Sequence, residues 1–429
     1  MRIAVIGAGI VGVTTAYELA QDGHQVTVFD RRGSVAEETS FANAGVVAPA
    51  YVTPWAAPGM PAKVLRQLLS RHAPVRLASP LGAGQWVWLW RWWRACRAPV
   101  HAANRPRLHR LARYSHQRLG QLSQTLNLAH EQSRGYLVLL RTARDLAGAR
   151  GSLKLLAEMG VNFHLVDGAR ARAIEPGLNP DTALHAAVHL PDDEVGNCRQ
   201  FAHLLRAEAQ RLGAVFRFKR TVVALVAGDK PAVRHAETAS SGTAETEAFD
   251  AIAVCAAMGS TELLRPLGLR LPLAAVQGYS ITAPIRLLEN HPHLGPASAV
   301  MDEKYKVVIS RLGQRVRVAG SAELGGTLGH HSQAAIHTLH KVLDDWYPGC
   351  AQHRQVQAWK GARPMLPDGL PVLGASGLPG LWLNLGHGAS GWALSCGSAR
   401  VLADQLMGHA PAIDVEGLDV SRLGLRLRA

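Results

Sequence analysis

The chain is expected to fold as a mixed α/β (α+β) protein, with a Rossmann-like nucleotide-binding domain joined to a second domain built on an antiparallel sheet. Three observations predict this. The first thirty residues read as strand, glycine turn, helix and strand. Strand-like segments at 271–281, 307–310 and 315–319 follow one another without intervening helices, as an antiparallel sheet requires. Two further glycine turns, at 259 and 386–391, lie far along the chain from the first, so the nucleotide domain is assembled from discontinuous pieces.

Residues 2–6 form a short apolar run, followed by Gly7-Ala8-Gly9-Ile10-Val11-Gly12, a helical stretch to about Asp22, and an apolar strand over 25–29 that ends on Asp30. Each part has a physical task. Gly7 permits the tight turn, Gly9 lets backbone approach a pyrophosphate, and Gly12 lets helix and strand pack closely. The helix N-terminus offers N–H groups to phosphates, and Asp30 can accept from ribose hydroxyls. In this context the motif predicts a bound dinucleotide, NAD(P) or FAD.

After Arg31 and Arg32 comes a loop of small residues, 39–47, suited to backbone lying against a flat ring. The Pro-rich stretch 48–59 fits neither a regular helix nor a strand. Residues 85–94 read as a helix with Trp86, Trp90 and Trp93 on one face and Trp88 and Trp92 on the other, which leaves two readings, burial in protein or a seat in a membrane interface. An amphipathic helix over 104–126 follows, then strand 135–141, helix 143–159 and strand 161–166. Residues 197–212 read as a helix, 215–225 as a strand, 234–247 as an exposed hairpin tip and 251–256 as a buried strand leading to Gly259. A strand at 381–385 runs into Gly386-His387-Gly388, and a helix over about 392–406 closes the fold. The expected nucleotide domain is 1–80, 190–272 and 355–429. The expected substrate domain is 81–189 and 273–354.

Composition narrows the class. A hydrophobic share of 48% against 18% charged residues fits a compact enzyme and excludes a disordered chain. Lys and Arg number 46 against 32 Asp and Glu, a net charge of +14 that favours an anionic partner. No nucleic-acid-binding motif accompanies it. The five cysteines are far apart, odd in number and without a CxxC pair, which argues against a disulfide framework and a zinc site and fits a reducing compartment. No metal site is expected. No run of 18 apolar residues predicts a membrane span.

Three dispersed glycine elements point to one extended cofactor, where an NAD enzyme needs only the first. Gly386-His387-Gly388 before a helix start supplies N–H dipoles for the negative charge of a reduced flavin. These residues carry a resemblance. Glu38-Thr39-Ser40-x-Ala42-Asn43-Ala44-Gly45, Val276-x-Gly278-Tyr279-Ser280, Asp302-Glu303-x-Tyr305-Lys306, Gly361-x-Arg363-Pro364-x-x-Pro367-Asp368-Gly369 and Gly386-His387-Gly388-x-x-Gly391-Trp392 occur in order. The chain resembles the FAD-dependent D-amino-acid oxidase/glycine oxidase superfamily, and within it the small-subunit type of bacterial D-amino acid dehydrogenase.

The resemblance implies non-covalent FAD, oxidative deamination of a D-amino acid to a 2-oxo acid and ammonia, and electron delivery to a quinone or respiratory-chain acceptor. By the same resemblance Gly7, Gly9, Gly12 and Asp30 hold the ADP half, and Arg31, Thr39 and Ser40 lie near pyrophosphate and ribityl chain. Asn43, Ala44, Gly45, Val46 and Val47 line the isoalloxazine. Val222 meets adenine, Gly259 adds a turn at the cofactor, and Gly361, Gly386, His387, Gly388 and Gly391 hold the pyrimidine side. Arg363 matches the arginine that pairs with the substrate carboxylate, with Tyr279 or Tyr305 expected to assist. An arginine suits that task because its planar fork makes two parallel hydrogen bonds. A glycine, sarcosine, proline or hydroxyproline enzyme of the same fold is the alternative. A flavin-binding subunit without catalysis and an NADP enzyme using Arg31 and Arg32 rank lower. The expected location is cytoplasmic, with a peripheral seat on the inner face of the cell membrane as the second option. The +14 charge and the basic tail Arg422–Arg428 favour that seat.

Overall fold

The computed structural model describes residues 1–68, 70, 72–78, 80–238, 243–289, 294–327 and 329–424. Two large sheets organise them. The first has six strands in the order Val372–Ala375, Leu381–Leu385, Ala251–Val254, Arg2–Ile6, Gln25–Phe29 and Val215–Arg217. All neighbours in it are parallel except the 372–375/381–385 pair. Its central strands are apolar on both faces, as a sheet covered on both sides demands. Helices Ile10–Gln21, Cys198–Arg211 and Gly391–Leu406 share one core with helix Ala98–Thr125. Gly7 sits at a φ of +104°, and a Cβ on Gly12 would lie 1.8 Å from the Gly7 carbonyl oxygen, so both positions need glycine.

The second sheet has ten strands and mixed pairing. Strand Ala274–Pro284 is central to the site. It pairs antiparallel with Arg315–Leu324 on one side and with Gln357–Met365 on the other. Helix Gln333–Trp346 covers one face of these strands, burying Tyr279, Ile281, Val316, Val318 and its own Leu339 and Trp346. A three-stranded sheet holds Arg220–Val226, Ala232–Glu237 and Glu245–Ala248, which forms the expected exposed hairpin; its tip at 239–242 lies outside the described residues.

The structure corrects the sequence reading in one stretch of secondary structure. The strand expected over 215–225 is two strands, Val215–Arg217 in the first sheet and Arg220–Val226 in the three-stranded one. The chain breaks at Lys219, whose φ of +54° turns it between sheets while its N–H bonds the Arg32 carbonyl. In the Trp helix (Ala83–Ala95), Trp88 is buried whereas Trp86, Trp90 and Trp93 are exposed. Arg422, read as part of a basic tail, is ion-paired to Asp368 at 2.8 Å, and 425–429 lie outside the described residues.

Candidate active site

One cleft brings together Gly7, Gly9, Asp30, Arg31, Thr39, Ser40, Val222 and Gly259. At its base the N-cap Gly9 of helix Ile10–Gln21 carries no capping side chain, and of the first-turn N–H groups Ile10 N is taken up by Ser40. Ser40 Oγ accepts from Ile10 N at 3.1 Å and so ties the 39–47 loop to that helix. Asp30 Oδ2 accepts from Ala8 N at 2.6 Å and Oδ1 from Arg32 N at 2.7 Å. Burial raises its pKa, and these two backbone bonds limit the rise without cancelling it. Each carboxylate oxygen keeps a lone pair for a further donor. Arg31 is held by Glu38 at 2.7 Å.

The 39–47 loop is pinned by its carbonyls. Ala42 O accepts from Ser280 Oγ at 2.9 Å, Asn43 O from Arg317 Nη1 at 3.1 Å, and Ala44 O from Ser310 Oγ at 2.7 Å. Gly45 O accepts from Gly196 N and Trp392 Nε1. Among the described residues the N–H groups of Ala42, Asn43 and Ala44 find no protein partner, so they are available to the polar edge of a bound ring. Val46 and Val47 pair with Val195 and Glu194, which fixes the far end of the loop. Thr39 Oγ1 donates to Ala362 O at 2.6 Å and ties the near end to strand Gln357–Met365.

That strand carries Arg363 opposite Val276. Its guanidinium donates through Nη1 to the Ser321 carbonyl at 3.0 Å, and among the described residues it forms no ion pair. Desolvation lowers its pKa to about 10, which leaves it charged at neutral pH. The residue nevertheless keeps some accessible surface. Two glycines clear the space. A Cβ on Gly278 would lie 2.4 Å from Arg363 Nη2, and a Cβ on Gly361 would lie 1.9 Å from Trp359 Cη2. Ser321 sits where the register with Ala274–Pro284 slips, at a φ of +56° that aims its carbonyl at the guanidinium.

The 386–391 turn closes the other side. Gly386 and Gly388 adopt positive φ, and a Cβ on Gly388 would lie 2.5 Å from Met365 Sδ. His387 bridges to Met365 through the backbone, and its Nε2 lies 3.0 Å from Ser398 Oγ. Burial pushes its pKa down to about 3, so it is a neutral imidazole. Gly391 opens the last helix, which also lacks a side-chain cap.

Tyr279 and Tyr305 are not part of this constellation. Successive strand residues face opposite sides, so Tyr279, paired with Lys360, points away from the face that holds Gly278, Gly361 and Arg363. Its hydroxyl donates to Glu323 at 2.9 Å in the core beneath helix Gln333–Trp346. Tyr305 packs with the same helix, between Arg141, Lys341 and His72. Sequence reasoning missed the groups that hold the loop, Ser280, Ser310, Arg317 and Gly196, and the Ser321 carbonyl; only Gly278 carried a local signal.

Residues 2–405 match the model of the FAD dependent oxidoreductase family. The chain belongs to that family. It is a flavin-dependent oxidoreductase, and the cleft, the free loop N–H groups and the two uncapped helix starts are residues that fit FAD. Among curated proteins it is 43% identical to a D-amino acid dehydrogenase of Cereibacter sphaeroides over 98% of this chain and 95% of the relative. It is 41% identical to a D-amino acid dehydrogenase of Rhizorhabdus wittichii over 98% of this chain and 100% of the relative. Among solved structures, glycine oxidase from Geobacillus kaustophilus superposes with a TM-score of 0.75 at 19% identity, covering 98% of this chain and 99% of that one. L-Proline dehydrogenase from P. horikoshii gives 0.72 at 16%, covering 99% and 97%. These two share the fold.

Proposed function

We propose that the protein is an FAD-dependent D-amino acid dehydrogenase that converts D-amino acids to 2-oxo acids and ammonia. The observation that carries this reading is Arg363, a charged guanidinium set into the fold with, among the described residues, no carboxylate beside it. A cation there is costly unless an anion completes it, and a substrate carboxylate does so with two parallel hydrogen bonds. The names of the relatives support the D-amino acid class.

Bound FAD supplies the two-electron acceptor for hydride from the substrate Cα. The protein holds and orients. The helix start at Gly9 and the N–H groups of 42–44 are the proposed cofactor contacts, with Gly361, Gly386 and Gly388 proposed near the ring. Arg363 fixes the carboxylate, one of the contacts that together decide which face of Cα is presented. With His387 uncharged, the N-terminus of the last helix is the group on this side that would favour negative charge on a bound flavin. Solvent removes the amine proton, and no side-chain base is assigned. The reading includes a quinone as electron acceptor and peripheral contact with the membrane that contains it.

The test is the visible spectrum of the purified holoenzyme under anaerobic conditions on adding D-alanine, L-alanine and D-proline in turn. Bleaching by D-isomers alone is expected. A flavin left oxidised by all three refutes the substrate class, and rapid peroxide formation in air moves the protein to the oxidase alternative.

A further inference from the structure

The Trp helix has two unlike sides. Trp88 is buried and donates through Nε1 to the Met365 carbonyl at 3.0 Å, two residues from Arg363, while Ala95 packs against Ala56. On the opposite side Trp86, Trp90 and Trp93 are 59%, 53% and 60% exposed. They recur at helical spacing, so three large aromatic rings form one outward stripe. Next to it lies the helix Met60–Gln67, which has no buried residue and leaves Leu65 71% exposed. The start of that helix and the Trp stripe share a groove, where Pro61 and Ala62 meet Trp90 and Trp93. A short helix with nothing buried lacks the packing that normally stabilises one.

Charge identifies the cover. From Thr39 to His130, 92 consecutive residues include 12 Lys and Arg and no Asp or Glu. Cations further along this stretch are ion-paired to the body of the protein, Arg107 with Glu416, Arg110 with Asp414 and Arg118 with Glu18. Around the stripe Lys63, Arg66, Arg94 and Arg97 are exposed. Arg94 lies over the Trp90 ring at 4.8 Å, and Arg97 bonds the Arg94 carbonyl. Tryptophan rings flanked by cations, on helices too short and too charged to span, are the composition of a segment lying in the headgroup layer. Among the described residues no helix is long and apolar enough to cross a membrane.

We propose that helices Met60–Gln67 and Ala83–Ala95 form one docking face that lies in the interface of an anionic lipid bilayer, with Trp86, Trp90, Trp93 and Leu65 inserted among the headgroups and Lys63, Arg66, Arg94 and Arg97 on the lipid phosphates. The inner side of the same helix, with Trp88 on the Met365 carbonyl, then stays turned to the body of the protein. This specifies the peripheral contact included in the reading above. It does not depend on the role given to Arg363.

The test is sedimentation of holoenzyme with sucrose-loaded vesicles of phosphatidylcholine, with and without 30 mole per cent (about a third) phosphatidylglycerol, at low and high salt. Binding is expected with phosphatidylglycerol, reduced at least about tenfold by salt, because surface charge pairs are screened. The triple variant Trp86→Ser, Trp90→Ser, Trp93→Ser is expected to lose at least about tenfold in vesicle affinity, the sum of three interfacial rings. Its dye-coupled oxidation of D-alanine in solution should match the parent, since these side chains lie outside the site, and that readout also shows that the variant is folded. Reversal of Lys63 and Arg66 to Glu should remove the preference for phosphatidylglycerol. Undiminished vesicle binding by the triple variant overturns the proposal. So does a dimeric parent that becomes monomeric in the triple variant, which would make the cover a second copy of this chain. Failure of vesicle binding with D-alanine still bleaching the flavin separates this proposal from the function above.

Discussion

On one face of the paired strands Ala274–Pro284 and Gln357–Met365, Lys360 is a buried cation with every bond made. Its Nζ donates to Glu323 Oε1 at 2.9 Å and to the carbonyls of Thr327 and His330 at 2.9 and 2.8 Å. Burial works against its charge, but the neighbouring Tyr279 hydroxyl and the Glu323 carboxylate outweigh it and raise its pKa. On the other face Arg363 has one carbonyl at 3.0 Å and, among the described residues, no carboxylate, and burial lowers its pKa to about 10. The two cations are three residues apart on one strand. The first is completed by the fold, whereas the second is the one to which the proposed function gives a substrate carboxylate, and that contrast is what substitution at each position tests.

The comparison breaks most readily at Arg363. Arg363→Met is expected to lower kcat/KM by about 10²- to 10³-fold, the usual cost of removing one partner of a desolvated charge pair, with FAD content unchanged. Arg363→Lys keeps the charge but not the fork and should retain only part of the loss in KM. The pH dependence follows from the same group. A substrate-sized carboxylate without an amine binds the protonated guanidinium. Its affinity should therefore be level from pH 7 to about 9 and fall as pH rises through about 10, by about tenfold per unit beyond.

Lys360→Met should act on stability instead. It strands Glu323 and two carbonyls and is expected to cost about 3 kcal/mol, read as a lower thermal midpoint of the holoenzyme with KM for the D-amino acid unchanged. Adding Glu323→Leu to it should recover part of that loss. Gly278→Ala sharpens the contrast from the other side, since its methyl meets Arg363 Nη2 at 2.4 Å. A rise in KM of about tenfold is expected, in line with a displaced clamp that is still present. Tyr279→Phe should be the mildest, about 1 to 2 kcal/mol of stability for the bond donated to Glu323 and the one accepted from Ser332 N, with no effect on substrate binding. A large rise in KM in that variant would return Tyr279 to the site.

The first βαβ unit was legible because its signals are local. The turn glycines, the helix and Asp30 all follow one another within thirty residues, and the cleft assembles as they predict. The substrate side was legible only through the resemblance. Nothing local to Arg363 reveals that its guanidinium lacks a carboxylate, because that depends on Gly278 and Ser321 from two other strands. The tyrosines were misplaced for a related reason. Which face Tyr279 takes is set by its register against Lys360, and a strand's alternation cannot be anchored until its partners are known. The Trp helix shows the same limit. Helical spacing separated Trp86, Trp90 and Trp93 from Trp88, but only packing against Met365 decides which side is inward. The strap on the 39–47 loop joins residues more than two hundred positions apart, as from Ser280 to Ala42, and leaves no trace in composition.

The most direct measurement of the central claim is the dissociation constant of a simple aliphatic carboxylate for oxidised holoenzyme, read from the flavin difference spectrum in the parent and in Arg363→Met at pH 7.5. The account predicts weakening of about a hundredfold or more with the flavin retained, the scale of a lost buried charge pair. Equal affinity in the two proteins, with the same flavin content, would contradict it and show that Arg363, like Lys360, serves the fold.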